Sequence, residues 1–178
     1  SYGSKQAAQS AALYDTVERS AMGDDMALLD RSVADMKDKF PSTTYAQQAA
    51  LLAARIYQDK DRKADAKVQL AWVVDHANDE GYQALARLRL AALLIDEKAY
   101  DEARKQLTVK VPEAFAALMS DRLGDLAMLQ AQPEEAVQHY KKAWKAFEPN
   151  AEYRRLVAVK LAALGADPED ATAVESKK

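Results

Sequence analysis

The chain has 178 residues, enough for one continuous core, with 25 basic and 28 acidic residues and a net charge of −3. The two signs are interleaved, so the concentrated cationic face needed for nucleic-acid binding is missing. The lack of cysteine excludes disulfides, thiol nucleophiles and thiolate metal sites. Gly and Pro number only 5 each, while Ala and Leu dominate an apolar share of 49%. That mixture favours helices joined by short connections, and no apolar run approaches the roughly 18 residues of a membrane span.

About nine helices are expected in chain order. The first runs from about Ser4 to Met22 and stops at Gly23. Asp24-Asp25 opens the second, where carboxylates oppose the positive end of the helix dipole, and Phe40-Pro41 ends it. Ser42, Thr43 or Thr44 caps a third helix reaching about Lys60, and a fourth covers about Arg62 to Ala77. Beyond the loop NDEG, a fifth spans Tyr82 to Glu97 and a sixth Tyr100 to about Val109. Pro112 then breaks the chain. The seventh spans Glu113 to Gln130, and the eighth runs from Pro133, a favoured first-turn residue, to Phe147. A ninth follows Pro149-Asn150 and ends near Gly165, placed to take the left-handed turn after a helix. One helical domain is thus expected over 1–165, with a polar, flexible tail over 166–178.

Three segments align without gaps: AALLAARIYQDKDRKADAKVQLAWVV from Ala49, ARLRLAALLIDEKAYDEARKQLTVKV from Ala86, and SDRLGDLAMLQAQPEEAVQHYKKAWK from Ser120. Small residues recur in the first helix of each (Ala54, Ala91, Gly124) and early in the second (Ala66, Ala103, Ala136). A larger residue follows four places later: Leu70, Leu107, Tyr140. The alanines of the second helix are 37 and 33 residues apart. Two antiparallel helices must approach closely near their turn, which small side chains permit. The bulky residue one turn on fills the wedge where they diverge. The pattern resembles the tetratricopeptide repeat, with Tyr57, Tyr100 and Glu148-Pro149 near its aromatic and proline positions. The consensus early Trp is absent from all three segments. The N-terminal helix pair resembles a degenerate fourth repeat and the ninth helix a cap. The fold class expected is an all-α, tetratricopeptide-like helical-repeat solenoid.

No nucleophile elbow, phosphate loop or dinucleotide fingerprint occurs. Glu135 and His139 are four apart on one helix, but one histidine and one carboxylate are too few ligands for a metal site. Gly124 reads as a packing residue, and Trp72, Trp144, Phe115 and Phe147 as core. No catalytic residue, metal or cofactor is assigned. The resemblance to tetratricopeptide repeats instead implies a partner groove lined by first helices. Its candidates are Gln48, Leu51, Arg55 and Gln58, then Leu85, Leu88, Ala92 and Ile95, then Leu118, Asp121, Asp125 and Met128. The middle set is apolar and the outer sets are polar, which suits an extended or amphipathic peptide. The carboxylate-gripping Lys and Asn of some such grooves are replaced by Leu51, Arg55, Leu88 and Ala92.

Over about residues 5 to 165 the order of segments is similar to the soluble domain of the YfgM-type ancillary subunit of the SecYEG translocon. SAALYDTVERSAMGDD, STTYAQQAALLAARIYQDK, NDEGYQALARLRLA, AFAALMSDRLGDLAML and YRRLVAVKLAAL carry that resemblance. It implies a membrane span before this domain, with the domain in the periplasm at the inner membrane. It also implies work beside the SecYEG translocon with a membrane-anchored periplasmic chaperone of the prolyl-isomerase type. The opening SYGSKQ, without Met, reads as a fragment or processed form, so the membrane would be reached only through a segment outside this chain. The competing expectation is a cytoplasmic tetratricopeptide adaptor with no link to export.

Overall fold

A computed structural model describes residues 1–170. Among these residues the chain is all helical, with nine helices: α1 (Tyr2–Met22), α2 (Met26–Lys39), α3 (Thr44–Asp59), α4 (Lys63–His76), α5 (Glu80–Asp96), α6 (Tyr100–Leu107), α7 (Glu113–Leu129), α8 (Pro133–Ala146) and α9 (Glu152–Ala163). The expected tail extends into residues 171–178, which lie outside the described part. The chain divides into two compact bodies, Ser1–Leu93 and the part from Leu94 on. They are taken separately below.

One backbone device recurs along the chain. A residue in the left-handed region follows each first helix: Asp24 (φ 57°), Asp61 (60°), Lys98 (62°) and Ala131 (57°). The next amide closes back on the helix each time. Asp25 N–H donates to the Ser20 carbonyl at 2.9 Å, Arg62 to Tyr57 at 2.7 Å, Ala99 to Leu94 at 2.8 Å and Gln132 to Ala127 at 2.9 Å. This is the Schellman closure, which satisfies carbonyls that the helix end would otherwise leave bare. A fifth copy ends α9, where Gly165 has φ 71° and the Ala166 N–H donates to the Leu161 carbonyl at 2.9 Å. By this criterion α1–α2 is a repeat like the others, and α9 ends as a first helix does.

In the N-terminal body the small residues expected at crossings are fully buried: Ala54 and Ala66 each have 0% exposure, and so does Leu70. The α1–α2 pair reaches the same packing by a swap of sizes. At the equivalent places, 37 residues earlier, stand the larger Val17 and Leu29 for the two alanines and the smaller Val33 for Leu70, all buried. The room comes from Ser20 and Ser32, which stand where the next repeat has Tyr57 and Gln69. Their buried hydroxyls donate to the carbonyls of Val17 (2.8 Å) and Leu28 (2.7 Å), so neither is left unsatisfied. Asp25 caps α2 through the Leu28 amide at 3.1 Å. Asp24, expected beside it at the helix start, instead forms the turn and pairs with Lys60 at 2.6 Å. Thr43 is the residue of the three candidates that caps α3, on the Ala46 amide at 3.2 Å.

In the C-terminal body Gly124 packs directly on the ring of Tyr140, and any Cβ there would strike that ring. Ala127, Ala136, Val137, Ala143, Val157 and Leu161 complete this core, flanked by Trp144 and Phe147. The second helix α6 has 8 residues, where α2, α4 and α8 have 14 each. It stops at Leu107 rather than at Val109 as expected. The Thr108 hydroxyl turns back on the Arg104 carbonyl at 3.0 Å, and Pro112, four residues on, has no amide to continue the ladder.

Candidate functional site

The N-terminal body has an open groove lined by α1, α3 and α5. Gln48, Leu51, Arg55 and Leu85, four of the predicted residues, lie in it together with Tyr14, Glu18, Leu52 and Arg89. Gln58 is exposed at the end of α3, Leu88 is half-buried and Ala92 is exposed, all outside the lining. The residues missed were nonetheless in register. Tyr14 and Glu18 stand 37 residues before Leu51 and Arg55, so α1 presents its groove face as α3 does. Arg89 stands 37 residues after Leu52. Extending the repeat spacing back into the degenerate pair would have found the first two.

Two polar groups of the groove, Gln48 and Arg89, are hydrogen-bonded within the body. The Gln48 amide donates to the Tyr82 hydroxyl at 2.8 Å, which holds α3 to α5. Arg89 donates to the Leu51 carbonyl at 3.2 Å. Burial pulls the Arg89 guanidinium down from its usual range, and the like charge of Arg55 adds to this. Burial pushes the Tyr14 phenol up, helped by the Glu18 carboxylate. The lining is thus apolar at Tyr14, Leu51, Leu52 and Leu85, with two guanidinium groups against one carboxylate. Leu85 (37%) and Arg55 are exposed, so the groove presents both characters to solvent.

The matching face of the C-terminal body is closed by its own side chains. Asp121, predicted as a groove contact, has 0% exposure and is corrected to a buried strut. It accepts from Arg122 at 2.6 Å and from the Lys160 ammonium at 2.9 Å. Lys160 also donates to Asp125 at 3.0 Å, and the Tyr140 hydroxyl donates to Asp125 at 2.5 Å. Arg122 reaches the Tyr153 hydroxyl at 3.1 Å. Six charged or phenolic groups thereby join α7, α8 and α9. Burial opposes the charge on Lys160, but the hydrogen bonds to Asp121 and Asp125 outweigh it and hold its pKa above the usual lysine range. Burial and the Asp125 bond push the Tyr140 phenol up. Of the other predicted residues, Leu118 and Ile95 are half-buried, and Met128 is 41% exposed at the end of α7.

Glu135 and His139 meet at 3.4 Å as neighbours one turn apart, and Glu135 is also held by Arg104 at 2.8 Å. Among the described residues no group of three or more ligands suited to a metal ion is found, and no helix is long and apolar enough to cross a membrane.

A family model described as a tetratricopeptide repeat-like domain matches residues 1–166. An ancillary SecYEG translocon subunit of Neisseria gonorrhoeae (strain ATCC 700825 / FA 1090) is 30% identical over 154 residues, covering 86% of this chain and 74% of that protein. One of Escherichia coli (strain K12) is 30% identical over 103 residues, covering 58% of this chain and 48% of that protein. The chain belongs to the ancillary SecYEG translocon subunit family. Its domain is tetratricopeptide repeat-like, all-α, and of a kind that works by binding other proteins.

Proposed function

We propose that this domain is a non-enzymatic docking scaffold that works at the SecYEG translocon, on the periplasmic side of the inner membrane. There it receives a helical or extended segment of a partner in the groove of its N-terminal body. It assists newly exported proteins by positioning a membrane-anchored periplasmic chaperone near them. The observation that carries the reading is the groove itself: Leu51, Leu52, Leu85 and Tyr14 beside Arg55 and Arg89, open to solvent. An apolar floor supplies affinity and the flanking cations fix register. The relatives' shared name supports the translocon as the setting. The clusters of ionisable groups support a non-catalytic role. Tyr57, Asp30 and Arg62 join α2, α3 and α4, as the Asp121 network joins α7, α8 and α9.

The test is photocrosslinking in cells, with the reactive residue at Leu85 in the groove and a control at the exposed Lys105. Capture of a translocon subunit or a periplasmic chaperone at Leu85 and not at Lys105 is the expected result. Capture of cytoplasmic proteins alone would favour an adaptor unrelated to export, and equal capture at both positions would remove the groove from the reading.

A further inference from the structure

The shortened α6 leaves a second surface, in the C-terminal body and separate from the groove above. The other second helices have 14 residues and α6 has 8, so about 9 Å of helix is absent at the usual 1.5 Å rise per residue. A cleft opens beside this end of α6. Met119 and Leu123 of α7 form its apolar floor, and Val109 and Val111 of the connecting loop form its wall. Val109 is 36% exposed, an apolar side chain presented rather than packed. Lys110 and Lys142 stand on its rim, both exposed. None of the described residues lining it is a carboxylate; the neighbouring Glu135 is engaged by Arg104 and His139.

We propose that this cleft docks a short amphipathic helix of a partner protein, with an apolar stripe and an acidic flank, in the space left by the absent turns of α6. The missing turns leave room beside the end of α6, where Val109 is presented and two lysines stand with no carboxylate in the lining to oppose them. An apolar stripe at helical spacing meets Val109, Val111 and Ala116, over the largely buried Met119 and Leu123. Acidic residues beside that stripe meet Lys110 and Lys142, whose charges discriminate against a basic helix.

The probe is a labelled peptide of about 14 residues, the length of α8, with Leu on one helical face and Glu elsewhere. Its partner probe carries Lys in place of Glu. Binding to the whole chain is followed by anisotropy, and the site by methyl NMR. The Glu peptide is expected to shift the methyl resonances of Met119 and Val109. The double variant Lys110→Glu/Lys142→Glu changes two exposed side chains, and circular dichroism checks that its helices are intact. It should bind the Glu peptide about tenfold more weakly and should gain affinity for the Lys peptide. Absence of binding, equal affinity in the variant, or shifts at Leu51 and Leu85 instead would overturn the proposal. So would association of the cleft with phosphatidylglycerol vesicles in place of the peptide.

Discussion

The two bodies use the same repeat register to opposite ends. In the N-terminal body the first-helix positions hold Tyr14, Glu18, Leu51 and Arg55, and they line an open groove. In the C-terminal body the corresponding stretch of α7 holds Asp121 and Asp125, and Lys160 from α9 reaches across to both. One lysine on the following helix changes an open face into an internal strut. A repeat position therefore does not carry function by itself. What the next helix brings to it decides whether it stays open to solvent or meets its own chain.

Lys160→Ala is expected to break this contrast most sharply. It leaves the buried Asp121 carboxylate with Arg122 alone, and removing one partner of a buried ion pair costs about 3 kcal/mol. Urea unfolding would read the loss, while capture at Leu85 should be unchanged. A loss under about 1 kcal/mol would show that the network is not a strut. Gly124→Ala comes next, at about 2 kcal/mol, because its methyl meets a Tyr140 ring anchored through its hydroxyl to Asp125.

Alkali should act through the same groups. Lys160, Tyr57 and Tyr140 all have folded-state pKa values raised above their ordinary ones. Their contribution is complete below the unfolded values near ~10 and is lost as the pH rises through the folded values. Urea midpoints should be insensitive to these groups at pH 7 to 9 and fall beyond about pH 10. Tyr140→Phe, which cannot ionise, should soften that fall. The smallest stability effect belongs to Arg55→Glu. Its side chain is exposed, so stability should change by under about 0.5 kcal/mol while partner capture at Leu85 falls. A large stability loss would mean that Arg55 packs instead of docking.

Features set by neighbours in the chain were legible in the sequence. Gly165 takes its left-handed turn, Pro133 opens α8, and Gly124 lies at a close crossing, as expected. The α1–α2 pair was harder to read because its small and large residues have exchanged places, which conserves volume but hides the pattern. Tyr14 and Glu18 were missed for the same reason. Asp121 was placed in the groove because the first-helix positions of the repeat were carried over to it. Its burial depends on Lys160, 39 residues away, and nothing local announces that pairing. The early end of α6 at Leu107 was missed because Val109 and Val111, the valines before Pro112, fit either state.

The five closures at Asp24, Asp61, Lys98, Ala131 and Gly165 also determine where this chain can change its length. Between them lie 37, 37, 33 and 34 residues, so length has varied from repeat to repeat while every turn kept the same form. An added residue within such a turn would rotate the following helix by about 100° and carry its buried face away from its partner. The loop around Lys110 has no such phase to keep. It is therefore the place where a tag, a label or a whole inserted segment should be carried without disturbing the folding of either body.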